Sequence, residues 1–350
     1  MSKRRLTKKQ RLRIQENQQA AEIRAAAQGK KDKCYDDSVV MGQLGSEQSG
    51  LIIAHYGAQV DVEPLDNSVH PGITRRCHLR ANLGTLAAGD KVVWRDGELS
   101  GLVVAVLPRK TALCRPDPYG ELKVIAANVD RMLIVIAPVP EPHNQLIDSY
   151  IVAAEAVGIE PVLVLNKSDL LNDSNNTQLQ ALLTMYRSIG YLALETSTLL
   201  NNSFAPLIEI LDERTSVVVG QSGVGKSSLI NALVPTANTA VGALSSGDQK
   251  GAHTTTTARF FHLPSGGSLI DSPGIRKFGL WHMNEQTLLN GFIELRALIG
   301  HCKFRDCQHL REPGCQIRQA LRDNHISSAR MQSFEHLRKS ICDSKANKVE

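Results

Sequence analysis

No uninterrupted apolar stretch in these 350 residues approaches the roughly 18 that a membrane-spanning helix requires. The amino terminus has no apolar core of the kind a secretory signal carries, and residues 1–33 are almost without large apolar side chains. Cysteine occurs seven times but forms no evenly spread disulfide framework; three of the seven crowd between Cys302 and Cys315, a pattern that in a reducing compartment points to metal. These absences lead us to expect a cytoplasmic protein with no membrane partner. At 42% hydrophobic and 21% charged the chain is ordinary for globular proteins and long enough for two or three domains.

The net charge of +5 is unevenly held. Residues 1–33 carry eleven Lys/Arg against three Asp/Glu, and residues 296–350 carry eleven against six, so the middle is acidic. Basic ends around an acidic centre place the expected polyanion contacts at the ends. The segment 1–35 cannot bury enough apolar surface to offset its ordering entropy, so it reads as a basic, disordered tail, helical from about Lys8 to Ala27 on binding nucleic acid.

From 36 to 113 short β-like runs alternate with turn residues: "LIIAHYGAQVDVEP", "CHLRANLG" and "DKVVWRDGELSGLVVAVLP". A five-stranded barrel of the OB type fits this length, and a small SH3-like barrel nearly as well. Asp96-Gly97 is expected to form a two-residue hairpin turn, since such turns require positive φ. Arg75, Arg76, His78 and Arg80 are candidates for RNA phosphates.

Between 114 and 280 buried strands alternate with amphipathic helices, the pattern of a doubly wound parallel sheet whose ligands bind at the carboxyl ends of the strands. "VLVLNKSD", "YLALETS" and "SVVVGQSGVGKSS" each run from a strand into such an end. Gly220, Gly225, Lys226 and Ser227 satisfy the phosphate-loop pattern G-x-x-x-x-G-K-[ST]. Over the whole loop, Gly220, Gln221, Ser222, Gly223, Val224, Gly225, Lys226, Ser227 and Ser228, backbone N–H groups and a helix N-terminus are expected to surround phosphate. Lys226 would then neutralise charge and Ser227 ligate Mg²⁺.

"LIDSPG" offers Asp271 to the Mg²⁺ shell and the Gly274 N–H to the γ-phosphate. The polar stretch "SSGDQKGAHTTTTARFF" before it reads as a mobile loop in which one of Thr254–Thr257, Thr255 for definiteness, is the remaining Mg²⁺ ligand and phosphate sensor. The base is expected to be guanine. Asp169 can accept from guanine N1–H and the 2-amino group, which adenine lacks; Asn166 can bond N7 and brace the loop, and the Lys167 stem can cover the ring. Ser168 belongs to the same loop, and Ser197 of "ETS" can offer its N–H to guanine O6.

The base signature thus precedes the phosphate loop, the reverse of the usual order. In this the chain resembles the RsgA (YjeQ) family of circularly permuted GTPases, and the likeness extends over the barrel and the C-terminal cysteines. The resemblance implies GTP and GDP as ligands, GTP hydrolysis, and the small ribosomal subunit and its rRNA as partners, with hydrolysis driving release. A monomer is expected. It also implies a small helical zinc domain over 281–350. Cys302, Cys307, His309 and Cys315 form a Cys₃His set suited to one structural Zn²⁺, and the resemblance assigns the ligands to these four; on spacing alone His301 could replace His309. The sequence "CQIRQALRDNHISSARMQSFEHLRKS" reads as basic helices beyond this cluster.

Where many GTPases place a water-orienting Gln just after Asp-x-x-Gly, this sequence has Ile275. An aliphatic side chain cannot orient water, so hydrolysis is expected to be slow alone, and His253 is the candidate to complete catalysis. A rival reading is a nucleotide-controlled RNA-binding module with incidental hydrolysis.

Overall fold

A computed structural model describes residues 44–65, 73–81, 83–116, 121–200, 203–235, 237, 258–271, 280 and 283–346, with side chains to Asp343. The tail 1–35, His253, Thr254–Thr257 and Gly274 lie outside these residues.

Five strands close the barrel: β1 (Leu44–His55), β2 (Gln59–Pro64), β3 (Arg75–Leu79), β4 (Lys91–Gly97) and β5 (Gly101–Val106). Their order is β1-β2-β3-β5-β4 with β4 returning to β1, and β3 and β5 run parallel. This closure is of the OB type. Ile52, Val60, Val62, Val92, Trp94 and Val103, spaced by alternate positions along their strands, fill its interior.

The expected Asp96-Gly97 turn is displaced. Both residues remain in β4, Gly97 pairs with Leu44 of β1, and the loop is 98–100. The cause is tertiary: Arg75 on β3 donates to Asp96 Oδ1 at 2.8 Å and to the Gly97 carbonyl at 2.6 Å, holding this dipeptide extended. The same contacts engage part of the proposed phosphate cluster within the barrel. Arg76 pairs with Asp61 at 2.6 Å and lies over Tyr56, and His78 meets Gln59 at 3.2 Å.

A two-stranded hairpin missed in the sequence, β6 (Ala112–Pro116) with β7 (Leu122–Ala127), leads into the α/β region. There β8 (Arg131–Ile136), α1 (Asn144–Glu155), β9 (Glu160–Leu165), α2 (Asn176–Ile189), β10 (Leu192–Glu195), α3 (Ala205–Leu211), β11 (Thr215–Gly220), α4 (Lys226–Leu233), β12 (Arg259–His262) and β13 (Ser268–Asp271) follow in turn. The order is β10-β9-β8-β11-β13-β12, parallel except for β12. Strands β8, β9 and β11 read as unbroken apolar runs because both faces are covered. Ile134, Leu163 and Val217 face one core with α1 and α2; Leu133, Val162 and Val218 face the other with α3 and α4. Successive strands step outward in opposite directions from β8 and β11, so the phosphate-loop strand stands at the topological switch point.

The last segment contributes α5 (Glu285–Asn290), a 3₁₀ segment Ile293–Leu298, α6 (Gln316–Arg322) and α7 (Ser328–Ala346). Its Leu288, Phe292, Ile317, Met331 and Phe334 belong to the same core as α1 and α2. Arg330 on α7 is 1% exposed. It forks onto Glu294 at 2.7 and 3.0 Å, donates to Asp148 of α1, and lies 4.4 Å from the Phe292 ring centre. Tyr186 of α2 donates to the same Asp148 at 2.6 Å. Burial pulls the guanidinium toward neutrality, but Asp148 and Glu294 more than reverse this and hold it charged. Arg330→Met would strand two carboxylates, and a loss of about 3–5 kcal/mol in urea denaturation is expected. A change below about 1 kcal/mol would show that the network does not fasten α7 to α1.

Candidate functional site

Because β8 to β11 and β13 run parallel, their carboxyl ends lie along one edge of the sheet, and every described nucleotide-site candidate sits there. Gly220 ends β11 with φ 137°, and a Cβ added to it would stand 2.2 Å from the Val135 carbonyl oxygen, so the strand can turn into the phosphate loop only with glycine. Gly225, φ 92°, precedes α4; its missing Cβ leaves room for the Asn166 amide, which would otherwise lie 2.4 Å away. Ser222 and Gly223 are exposed at the loop tip, whereas Val224 is buried in the core beneath it. Ser227 and Ser228 occupy the first turn of α4.

The base-side residues grip this loop. Asn166, 1% exposed, donates from Nδ2 to the Val224 carbonyl at 2.9 Å. Lys167, in the left-handed region at φ 58°, donates from Nζ to Gly223 O at 2.6 Å and Val139 O at 3.1 Å. The Ser168 N–H donates to Thr196 O at 3.0 Å, tying the loop after β9 to the end of β10. Ser197 donates its hydroxyl to Asp169 Oδ1. Its N–H, expected to face a guanine oxygen, donates to Ser203 Oγ at 3.1 Å. Ser203 and the Val139 carbonyl were not singled out in the sequence; a short polar residue and a main-chain oxygen leave no pattern there.

On the phosphate side, Lys226 Nζ donates to Gly220 O at 2.8 Å and to Gln221 O. Asp271 closes β13, one strand away. Burial raises its carboxyl above the ordinary value while the Lys226 cation opposes the shift, so a cation and a carboxylate bracket the strand end.

Cys302, Cys307, His309 and Cys315 bring one ligand atom each within 4.8 Å of all the others. Cys302 Sγ and Cys315 Sγ stand 3.9 Å apart, and each is 3.5 Å from His309 Nδ1. A tetrahedral ion with bonds of about 2.3 Å to sulfur and about 2.0 Å to nitrogen requires edges of roughly 3.8 and 3.5 Å, so this set can hold a metal ion. His301 is exposed and stands outside the group. The loop is preformed by Glu312, whose carboxylate accepts three main-chain N–H groups at 2.8 to 3.0 Å. Arg318 steadies His309 through its carbonyl at 3.1 Å, and the Cys315 sulfur accepts from Arg318 N at 3.5 Å as the N-cap of α6.

A phosphate loop at the switch point, preceded in the chain by the Asn-Lys-x-Asp loop that grips it, defines a GTP hydrolase of the circularly permuted class. The model of the RsgA GTPase family matches residues 106–281. The small ribosomal subunit biogenesis GTPase RsgA of Pseudomonas aeruginosa (strain LESB58) is 53% identical over 338 residues, covering 96% of this chain and 97% of the relative. The protein of the same name from Hahella chejuensis is 51% identical over 342 residues, 97% of each chain. Among solved structures, YjeQ from Thermotoga maritima matches with a TM-score of 0.69 and 28% identity, over 85% of this chain and 99% of that one. YloQ, a circularly permuted GTPase, matches with 0.66 and 29%, over 89% and 98%. The chain belongs to the RsgA GTPase family. No helix among the described residues is long and apolar enough to cross a membrane.

Proposed function

We propose that this GTPase works in the cytoplasm, as a monomer, in late maturation of the small ribosomal subunit: it binds the subunit's rRNA in its GTP form, is stimulated by the subunit, and leaves on hydrolysis. The observation that carries the reading is the gripping of the phosphate loop by Asn166 and Lys167, because it joins base and phosphate contacts into one pocket. The near-full-length likeness to proteins named for small-subunit biogenesis supplies the partner.

Within that reading Asp169 and Ser197 select guanine, residues Gly220 to Ser228 hold the phosphates, and Gly274 reaches the γ-phosphate. Ser227, Asp271 and one threonine of Thr254–Thr257 would hold Mg²⁺, which supplies charge neutralisation at the phosphates; hydroxyl and carboxylate oxygens are the donors that ion prefers. The Cys₃His set takes Zn²⁺ as a structural ion, since four protein ligands leave no open position. The chain divides into a basic tail (1–35), an OB-like barrel (36–113), the GTPase region (114–280) and the zinc module (281–350). Ile275 contributes no polar group to hydrolysis, and His253 does so in its place.

GTP turnover measured with small subunits, with large subunits and with neither tests the reading. At least tenfold stimulation by small subunits alone is expected; equal rates in the three conditions would overturn it. His253→Ala should bind GTP normally and lose about 10²-fold of the stimulated rate. Wild-type turnover in that variant, with and without subunits, would remove His253 from catalysis.

A further inference from the structure

One short strand carries the sheet from the nucleotide region into the barrel. On one edge β12 pairs with β13 from Arg259↔Asp271 to His262↔Ser268; on the other it meets β1 of the barrel at Ala54↔Arg259. Ala54, Arg259 and Asp271 are therefore successive rungs, spanning about 10 Å from barrel wall to the carboxylate beside Lys226. The core is continuous along the same line, since Phe260 of β12 packs in one cluster with Leu51 and Ile53 of β1 and Ile270 of β13. In the sequence, β12 opens two residues after Thr257.

A side-chain pair clamps this seam. Glu63 on β2 is 8% exposed, and its Oε2 meets His262 Nε2, at the far end of β12, at 2.7 Å. A carboxylate this buried requires donors, and His262 brings one from the nucleotide sheet. The two regions also meet elsewhere: Asn128 donates to Gly89 O at 2.8 Å, and the Ala127 N–H to Ala88 O at 3.0 Å.

We infer that Glu63 and His262 are positioning residues for stimulated hydrolysis: RNA docked on the barrel acts through them to set β12, and with it Asp271. This rests on the proposed function, in which the protein binds rRNA and Asp271 serves the magnesium shell, and on the barrel arginines, read from the sequence as candidates for RNA phosphates, making part of that contact. Couplings between sites in one protein commonly amount to 5–150-fold, so removing the clamp should reduce stimulation by about tenfold.

His262→Ala is the first variant. Expected are wild-type GTP affinity and basal turnover, wild-type co-sedimentation with small subunits in a non-hydrolysable GTP analogue, and about tenfold less stimulation. Amide exchange of residues 259–262 should slow when subunits bind wild type and remain unchanged in the variant. His262→Gln, whose amide still donates to Glu63, should restore both. A wild-type stimulation ratio in His262→Ala overturns the inference, as do equal losses of basal and stimulated turnover, which mark a purely structural role. Should His262→Ala not fold, Glu63→Gln is measured the same way: at least threefold less stimulation is expected, and an unchanged ratio overturns the inference. If small subunits fail to stimulate wild type, it is the proposed function that fails instead.

Discussion

Cys315→Ser is expected to abolish stoichiometric zinc binding and to lower the melting temperature by roughly 10 °C or more. Structural zinc sites in small domains contribute about 10–16 kcal/mol of apparent binding energy, because the ion does the work a hydrophobic core does elsewhere. The loop carrying this cluster has little other support. Phe304 and Leu310 are 42% and 43% exposed, so its large apolar side chains do not form a core of their own. Cys315 is 1% exposed, caps α6 and belongs to the core that α6 and α7 share with α1. Serine in its place removes a thiolate ligand and leaves the rest of the set with an incomplete shell. Metal content by elemental analysis should fall from about one zinc per chain to near zero. Basal GTP turnover should stay within about twofold, because none of the nucleotide-site residues comes from 302–315, while stimulation by small subunits should drop at least tenfold. Cys342→Ser is the control: that thiol is exposed on α7 and outside the cluster, so metal and melting temperature should not change. Stoichiometric zinc and an unchanged melting temperature in Cys315→Ser would refute the structural assignment.

The cysteine–histidine cluster and the nucleotide sheet were legible in the sequence for one reason: their residue types are set by local geometry. Gly220 and Gly225 are glycine because a Cβ has no room, and the Cys₃His spacing suits a single tight loop. Strands β8, β9 and β11 were legible because burial on both faces leaves an unbroken apolar signal. The losses lie where long-range partners decide. Asp96-Gly97 has the composition of a turn, yet Arg75, some twenty residues earlier, holds it in β4. The stretch ending in "TTTTARFF" read as loop although its described end opens a strand, Arg259–His262, whose identity follows from β13 and β1 on either side. The partners of Arg75 and Arg76 could not be read either, because sequence spacing cannot reveal Asp96 and Asp61 across the sheet. The seam between barrel and nucleotide sheet was invisible for the same reason, Glu63 and His262 being 199 residues apart.

Asp169→Asn is expected to exchange the protein's preferred base, lowering affinity for GTP by about three to four orders of magnitude and conferring affinity for xanthosine triphosphate. A carboxylate offers only acceptors, matching the N1–H and 2-amino donors of guanine; an amide offers one acceptor and one donor, matching xanthine, which carries an oxygen at position 2. The surrounding bonds make the exchange clean. Ser197 donates its hydroxyl to Asp169 Oδ1, and the amide oxygen of asparagine can accept the same bond, so the side chain stays aimed. Asn166 and Lys167, which fasten the phosphate loop through Val224 O and Gly223 O, are untouched, and so are Lys226 and Asp271. The variant should therefore keep its phosphate grip and lose only its reading of the base. Displacement of a fluorescent nucleotide by GTP, XTP and ATP measures the exchange, and XTP turnover with small subunits should approach the wild-type GTP rate. Retained preference for GTP over XTP would mean that Asp169 does not face the base. Loss of every triphosphate alike would place Asp169 among the supports of the phosphate loop, with guanine chosen by a main-chain contact instead.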